Sequence, residues 1–243
     1  EKAWEQQNQF IADASHELKT PLTVILANLR ILLSHKDASI HDELQWVEST
    51  QEEAGRMKKL VENLLFLARS DAKSTPMLYS TFSFSDLILG CLLTFEPVAF
   101  EQGVMIEDKI SDDIFISGDA PQIRQLVAIL LDNACKYAGI ADVLEKSGSS
   151  DKKVTVTLTS ENEKIKLTVH NTGKAIPEED LPHLFERFYR TDKSRARTDG
   201  GYGLAIAQTI AKNHRGKITV VSAKNLGTSF TVTFPVSKEK ESA

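Results

Sequence analysis

A histidine sits beside an acid and one helical turn before a hydroxyl in Ser15-His16-Glu17-Leu18-Lys19-Thr20-Pro21-Leu22. Imidazole is the side chain best suited to gain and lose protons near neutral pH, and a neighbouring carboxylate can steer that exchange. Ile11, Leu18, Leu22, Ile25, Leu29 and Leu32 form an apolar seam. From Leu18 onward it advances in alternating steps of four and three, the pattern of a helix packed along a narrow stripe. At roughly 100° per residue His16 lies about 200° round from Leu18, on the outer face, and Thr20 shares that face. Pro21 has no N–H for the carbonyl of Glu17, so the helix is expected to kink beside the histidine. Surface histidines are common and usually inert, so a reactive His16 depends on what the rest of the chain supplies.

Three further stretches are compatible with a nucleotide. In Leu130-Leu131-Asp132-Asn133-Ala134-Cys135-Lys136-Tyr137 the helical period brings Asn133, Lys136 and Tyr137 on or near one face. There an amide oxygen can bind a metal, an ammonium can pair with phosphate and a ring can line a base pocket. A solvated helix edge explains the same residues equally well. In Asn171-Thr172-Gly173-Lys174-Ala175-Ile176-Pro177 a short amide after a strand can hydrogen-bond an adenine edge, and Gly173 lets the backbone come close. Taken alone, that stretch is better read as a simple turn. In Asp199-Gly200-Gly201-Tyr202-Gly203-Leu204-Ala205 glycines open a helix and expose backbone N–H groups to phosphate. A lone glycine-rich turn is weak evidence; three such motifs in this order are much stronger.

The elements that must hold these residues fall into two groups. After a polar turn at residues 34–39, a second helical pattern runs over about 41–70, with Val47, Thr50, Ala54, Met57, Val61, Leu64 and Ala68 as its seam. Two antiparallel helices cannot enclose a core, and Leu60, Leu65 and Leu67 widen the apolar face. Pairing with a second copy into a four-helix bundle answers both problems, so a homodimer is expected. Residues 71–76, small, polar and ending at Pro76, form the expected linker.

Beyond the linker come a helix over about 85–102 and short strands at 104–110 and 114–117. Asp119 then caps a helix with Pro121 in its first turn, running to about Tyr137. Strands follow at 154–159 and 165–169, then an irregular stretch over 171–201, a helix over 202–213, and strands at 217–222 and 229–235. Helices grouped against a mixed sheet make an α/β sandwich. The expected class is therefore α+β: an antiparallel helical hairpin (1–70) forming a dimeric four-helix bundle, a linker (71–76), an α/β sandwich (77–237) and a frayed tail (238–243). Residues 139–153 read as a mobile insertion.

The 243 residues, 41% hydrophobic and 26% charged, suit a soluble chain of about two domains. No run approaches the roughly 18 apolar residues of a membrane span. The chain starts at Glu1 rather than methionine, as expected of an excised fragment. The net charge of -5 and a pI near 5.7 argue against general nucleic-acid binding. Cys91 and Cys135 lie in apolar helical patterns without metal-ligand spacing and are expected to be buried thiols in a reducing compartment.

From about Phe10 to Pro235 the chain resembles the cytoplasmic core of a sensor histidine kinase of bacterial two-component signalling. The residues from Ser15 to Leu22 are similar to the family's phosphoacceptor box. The Asn133 segment is similar to its N box, residues 171–177 to its G1 box, and Leu184-Phe185-Glu186-Arg187-Phe188-Tyr189-Arg190 to its F box. Gly201-Tyr202-Gly203-Leu204 is similar to its G2 box, and Gly227-Thr228-Ser229-Phe230 to a final glycine motif.

The resemblance implies a dimerisation and phosphotransfer hairpin followed by a Bergerat-type domain that binds ATP and Mg²⁺. It implies that His16 attacks the γ-phosphate through Nε2, that Glu17 accepts or orients the proton on the other ring nitrogen, and that Arg190, with Lys136, stabilises the transferring phosphoryl group. The phosphoryl group would then pass to an aspartate in the receiver domain of a response regulator. Implied nucleotide contacts are Asn133 (also the metal ligand), Lys136 and Tyr137; Asn171, Gly173 and Ile176; Gly201, Tyr202, Gly203 and Leu204; and Thr228. Thr20 completes His-Glu-x-x-Thr, the pattern associated with dephosphorylating the regulator. An upstream sensor and membrane segment are implied too, making this the cytoplasmic part of a membrane-anchored protein. The chain departs from the family at Ile129, where a second asparagine is usual, and at Asn171, which replaces an aspartate and lowers the expected nucleotide affinity. Ala175 replaces the second G1 glycine, and Thr198 and Asp199 replace glycines ahead of the G2 box. The alternative reading is a catalytically weak nucleotide-binding scaffold of the same fold.

Overall fold

The computed structural model describes residues 2–35, 37–71, 77–139, 152–189 and 201–236. Most of the expected linker, most of the 139–153 insertion, Arg190, Thr198, Asp199 and the 238–243 tail lie outside the described residues. The chain divides into two compact units.

The first unit is the helical hairpin, α1 (Lys2–Ser34) and α2 (Leu44–Asp71). Ahead of α2, Ser39 and Asp42 cap each other: Asp42 N donates to Ser39 Oγ and Ser39 N donates to Asp42 Oδ2, both at 3.3 Å. This reciprocal turn occupies residues the periodicity assigned to the helix, so α2 begins three residues later than expected. One buried polar contact crosses the hairpin, Asn28 Nδ2 donating to Ser49 Oγ at 2.9 Å. A buried polar pair of this kind favours one register of the two helices, because any slip strands both groups away from water.

Within the single chain the seam expected on α2 is only partly covered. Val47, Ala54, Val61 and Ala68 are exposed, and Thr50, Met57 and Leu64 are half-buried. The buried positions are Leu60 and Leu67, with Trp46 and Glu53 half-buried on the same seven-residue repeat. The helix carries two adjacent apolar stripes, and a three-four spacing fits either one. On α1, Leu22, Leu26, Leu29 and Leu33 are likewise exposed, while Leu18, Ile25 and Leu32 are half-buried.

The second unit is built on a five-stranded sheet in the order β2-β4-β5-β7-β6. Its strands are β2 (Met105–Ile110), β4 (Lys153–Glu161), β5 (Lys164–Asn171), β6 (Lys217–Ala223) and β7 (Gly227–Pro235). β2 and β4 run parallel and the other neighbours antiparallel, the mixed sheet the sequence suggested. Strict alternation puts Val154, Val156 and Leu158, Ile165, Leu167 and Val169, and Phe230, Val232 and Phe234 in the core. They are buried with the apolar faces of α3 (Phe84–Glu101), α4 (Ala120–Tyr137) and α5 (Gly203–Asn213), chiefly Ile123, Leu126, Leu130, Ile206 and Ile210. Burial of each such side chain stabilises by about 1.5–3 kcal/mol. The opposite sheet face is polar, with Thr168–Thr231 and His170–Ser229 hydrogen bonds across β5 and β7.

Helix starts follow their caps. Ser83 Oγ accepts from Asp86 N at α3, and Asp119 Oδ1 accepts from Gln122 N at α4. A short strand the periodicity did not reveal, β1 (Ser80–Ser83), pairs antiparallel with β3 (Phe115–Gly118) in a separate two-stranded sheet. Its sequence, Ser-Thr-Phe-Ser, is too short and polar to alternate visibly. Among the described residues, no helix is long and apolar enough to cross a membrane.

Candidate functional site

On α1, His16 and Thr20 are exposed on the helix surface, and Glu17 is half-buried. No hydrogen bond joins the His16 and Glu17 side chains, as expected for adjacent residues that point about 100° apart on a helix. The Thr20 hydroxyl donates to the His16 carbonyl at 3.4 Å, a long contact that water or a ligand can replace. Pro21, inside the helix, is buried.

In the second unit, distant stretches of chain converge on the C-terminal end of α4. Asn133 is half-buried and makes no side-chain hydrogen bond among the described residues. Lys136 Nζ donates to Asp132 Oδ2 one turn away, and Tyr137 is 39% exposed. The loop after β5 crosses this helix end closely. Gly139 N donates to Thr172 O at 3.0 Å, and a Cβ at Gly173, whose φ is +147°, would sit 2.5 Å from the carbonyl oxygen of Tyr137. Only glycine fits there. Residues 133–137 and 171–173 are thus joined by backbone contact rather than by chance proximity.

Asn171 ends β5, opposite Val154 on one side and Thr228 on the other. It is buried, and its Nδ2 donates to Thr172 O at 3.0 Å. Thr228 is buried beside it, and its hydroxyl lies 2.7 Å from Ser222 Oγ, which in turn accepts from Ile176 N at 2.9 Å. Ser222 was not singled out from the sequence. The signal was available: a hairpin turning at Asn225–Gly227 registers Ser222 directly opposite Thr228. Gly201 and Tyr202 precede α5, and Gly203 and Leu204 open it. A Cβ on Gly203 would be 3.4 Å from Ile129 Cγ2, so Ile129 packs at the start of α5. Arg190 lies outside the described residues.

Cys135, on the buried face of α4, stays protonated. Burial and the neighbouring Asp132 carboxylate push its thiol up to about 11. The thiolate, the nucleophilic form, is therefore disfavoured at neutral pH. Among the described residues no group of three or more His, Cys, Asp or Glu side chains could hold a metal ion. Asn133, with its amide oxygen unengaged, fits the role of a single protein ligand to an Mg²⁺ held mainly by phosphate oxygens. An open cleft of about 700 Å³, lined by residues such as Thr81, Asp112, Asp113 and Phe115, shares no residue with these motifs.

Residues 6–73 match the His Kinase A (phospho-acceptor) domain family, and residues 118–238 match the histidine kinase-, DNA gyrase B-, and HSP90-like ATPase family. The sensor protein DltS of Streptococcus agalactiae is 34% identical over 221 residues, covering 90% of this chain and 52% of that protein. The chain belongs to the sensor histidine kinases of two-component signalling. It spans about half the length of the curated relatives it matches. Among solved structures, the histidine kinase AdeS of Acinetobacter baumannii superposes with a TM-score of 0.73 at 22% identity, covering 92% of this chain and 98% of that one. The histidine kinase ThkA, solved in complex with the response regulator TrrA, gives 0.72 at 21% identity, covering 99% of this chain and 65% of that one. The hairpin carries the phospho-acceptor family's match, and the sheet unit the ATPase family's.

Proposed function

We propose that this chain is the catalytic core of a sensor kinase that phosphorylates itself on His16 with Mg-ATP and passes the phosphoryl group to an aspartate of a response regulator. The observation that carries this reading is a solvent-exposed His16, its ring without a hydrogen-bond partner among the described residues, within the phospho-acceptor match. In the transfer, the Nε2 lone pair forms the bond to the γ-phosphorus, and the bond to the bridging oxygen breaks with its electron pair leaving on ADP. The proton on Nδ1 then passes to Glu17 after a rotamer change, or to water.

Asn133 would hold the Mg²⁺, which neutralises phosphate charge when bound. Lys136 would leave Asp132 for a phosphate oxygen, and Arg190 would stabilise the transferring group. Tyr137, Asn171, Gly173, Ile176 and Thr228 would enclose the base, and Gly201, Tyr202, Gly203 and Leu204 would offer backbone N–H groups to the phosphates. The exposed Leu22, Leu26, Leu29, Leu33, Val61 and Leu65 support a homodimer, because a second copy would remove them from water. The receiver domain of a response regulator is the proposed partner, a reading supported by ThkA having been solved in complex with the response regulator TrrA. Thr20, exposed one turn from His16, would orient the water that dephosphorylates the regulator, making the enzyme bifunctional. The relatives' greater length supports a sensor and membrane segment elsewhere in the protein, with this part on the cytoplasmic side.

Incubation with γ-labelled Mg-ATP tests the reading. Wild type should acquire acid-labile label, and His16→Gln should acquire none while binding ADP as wild type does. Label persisting on His16→Gln would mean another residue is the acceptor. An unlabelled wild type that still binds nucleotide would favour the scaffold reading.

A further inference from the structure

We infer that Asp132 is a competing counter-ion for Lys136: it holds the ammonium while the site is empty, surrenders it to the nucleotide and takes it back on release. The acid therefore weakens nucleotide binding. The inference rests on the Asn133–Tyr137 face of α4 being part of the nucleotide site, as proposed above.

Lys136 Nζ donates to Asp132 Oδ2 across one helical turn, an i, i+4 pair with the acid N-terminal, the orientation a helix favours. Lys136 also lies in the last turn of α4, where the carbonyl ends attract a cation. The ammonium is thus neutralised before any phosphate arrives. At roughly 100° per residue, Lys136 lies about 40° round from Asp132, and Asn133 about 60° further in the same direction. The lysine stands between the carboxylate and the amide proposed to hold Mg²⁺. Ile129, which shares this stripe, is apolar and offers neither group a partner. A flexible four-carbon stem lets the ammonium turn from the acid to a phosphate oxygen, but not serve both at full strength. The two side chains remain partly exposed, Lys136 by 29% and Asp132 by 47%, so the pair can open without disturbing the core. The Asp132 charge nevertheless reaches into this helix end, since with burial it pushes the Cys135 thiol up.

Two costs follow for a ligand. Binding must first free Lys136, and an affinity that needs a minor state is reduced by that state's population. Once freed, the lysine leaves Asp132 as a bare carboxylate beside polyphosphate, like charge against like charge. A half-exposed ion pair is worth little, so the combined penalty is about two- to fivefold in affinity. Recapture of Lys136 by the same acid favours release of the product ADP over its retention.

Calorimetric titration of the 243-residue protein with Mg-ADP tests this in a double-mutant cycle. Asp132→Asn should bind about two- to fivefold more tightly than wild type. Asp132→Ala, which favours the helix, should tighten binding likewise and serves if the Asn variant folds poorly. Lys136→Met should weaken binding, and adding Asp132→Asn to it should recover less than it gains in wild type, because no ammonium remains to release. Loss of a merely structural contact would loosen binding instead. Unchanged or weaker binding by a folded Asp132 variant overturns the inference, as does an equal gain with and without Lys136. Either result leaves the nucleotide site standing, whereas wild type binding no nucleotide overturns both.

Discussion

Gly227→Ala should damage both the stability and the nucleotide affinity of the second unit. Gly227 opens β7 with φ at +78°, and a Cβ there would lie 2.1 Å from the carbonyl oxygen of Asn171 and 3.1 Å from Thr172 Cα. Ordinary contact begins near 3.4 Å, so the added carbon is 1.3 Å too close to backbone that cannot rotate away. Two terms add. An L-residue in the left-handed region costs about 1–2 kcal/mol. Relief of the clash must part β5 from β7 at the Asn171–Thr228 pair, exposing or stranding hydrogen bonds worth about 1–3 kcal/mol. The expected loss is about 2–5 kcal/mol, well above that of an ordinary surface substitution. Urea unfolding followed by circular dichroism should show the midpoint falling with an unchanged slope. ADP affinity should fall in parallel, because Asn171 and Thr228 move. A loss below about 0.5 kcal/mol with normal ADP binding would refute the argument that this strand end is sterically closed.

Two other perturbations separate roles within the molecule. Thr20→Ala should slow dephosphorylation of the regulator at least about tenfold while leaving autophosphorylation nearly unchanged, by analogy with other positioned groups; equal slowing of both reactions would count against a water-orienting hydroxyl. His214, buried at the end of α5, accepts from Asp119 N at 2.9 Å through Nε2 and donates to Ile210 O at 2.8 Å through Nδ1, so the fold holds it neutral. Burial lowers its pKa below the ordinary 6.5, against the opposing pull of the Ile210 hydrogen bond and the Asp119 carboxylate. The unfolded chain therefore binds the proton first. The stability this histidine contributes should be complete above about pH 6.5 and lost as pH falls toward the lower folded-state value. His214→Gln, which keeps an acceptor for Asp119 N but cannot titrate, should flatten that part of the stability–pH curve, and an unchanged curve would show that other groups set it.

Helix and strand positions were readable because periodicity and caps are local. Asp119 and Pro121 announced α4, and the alternation of β4, β5 and β7 declared both partners of the sheet core. The reading faltered where two local solutions were equally good. On α2 the stripe through Val47 and Val61 and the stripe through Leu60 and Leu67 have the same spacing, and only packing decides which is buried. β1 escaped notice because four residues, three of them polar, become a strand only when β3 is beside them. Ser222 escaped because its importance comes from register across a hairpin, not from its own neighbours in sequence.

The chemistry followed the same division. Residue type alone determined that His16 could be a nucleophile, that Asn133 could bind a cation and that residues 171–173 could approach a ligand closely, since these depend on functional groups and short-range conformation. Tertiary structure decided that Gly173 must be glycine, because the obstacle is the carbonyl of Tyr137 on another element. It also decided that the Asn171 amide nitrogen is engaged by the Thr172 carbonyl. An amide read from sequence has two ends; the Thr172 carbonyl, itself held by Gly139 N from another element, takes the nitrogen.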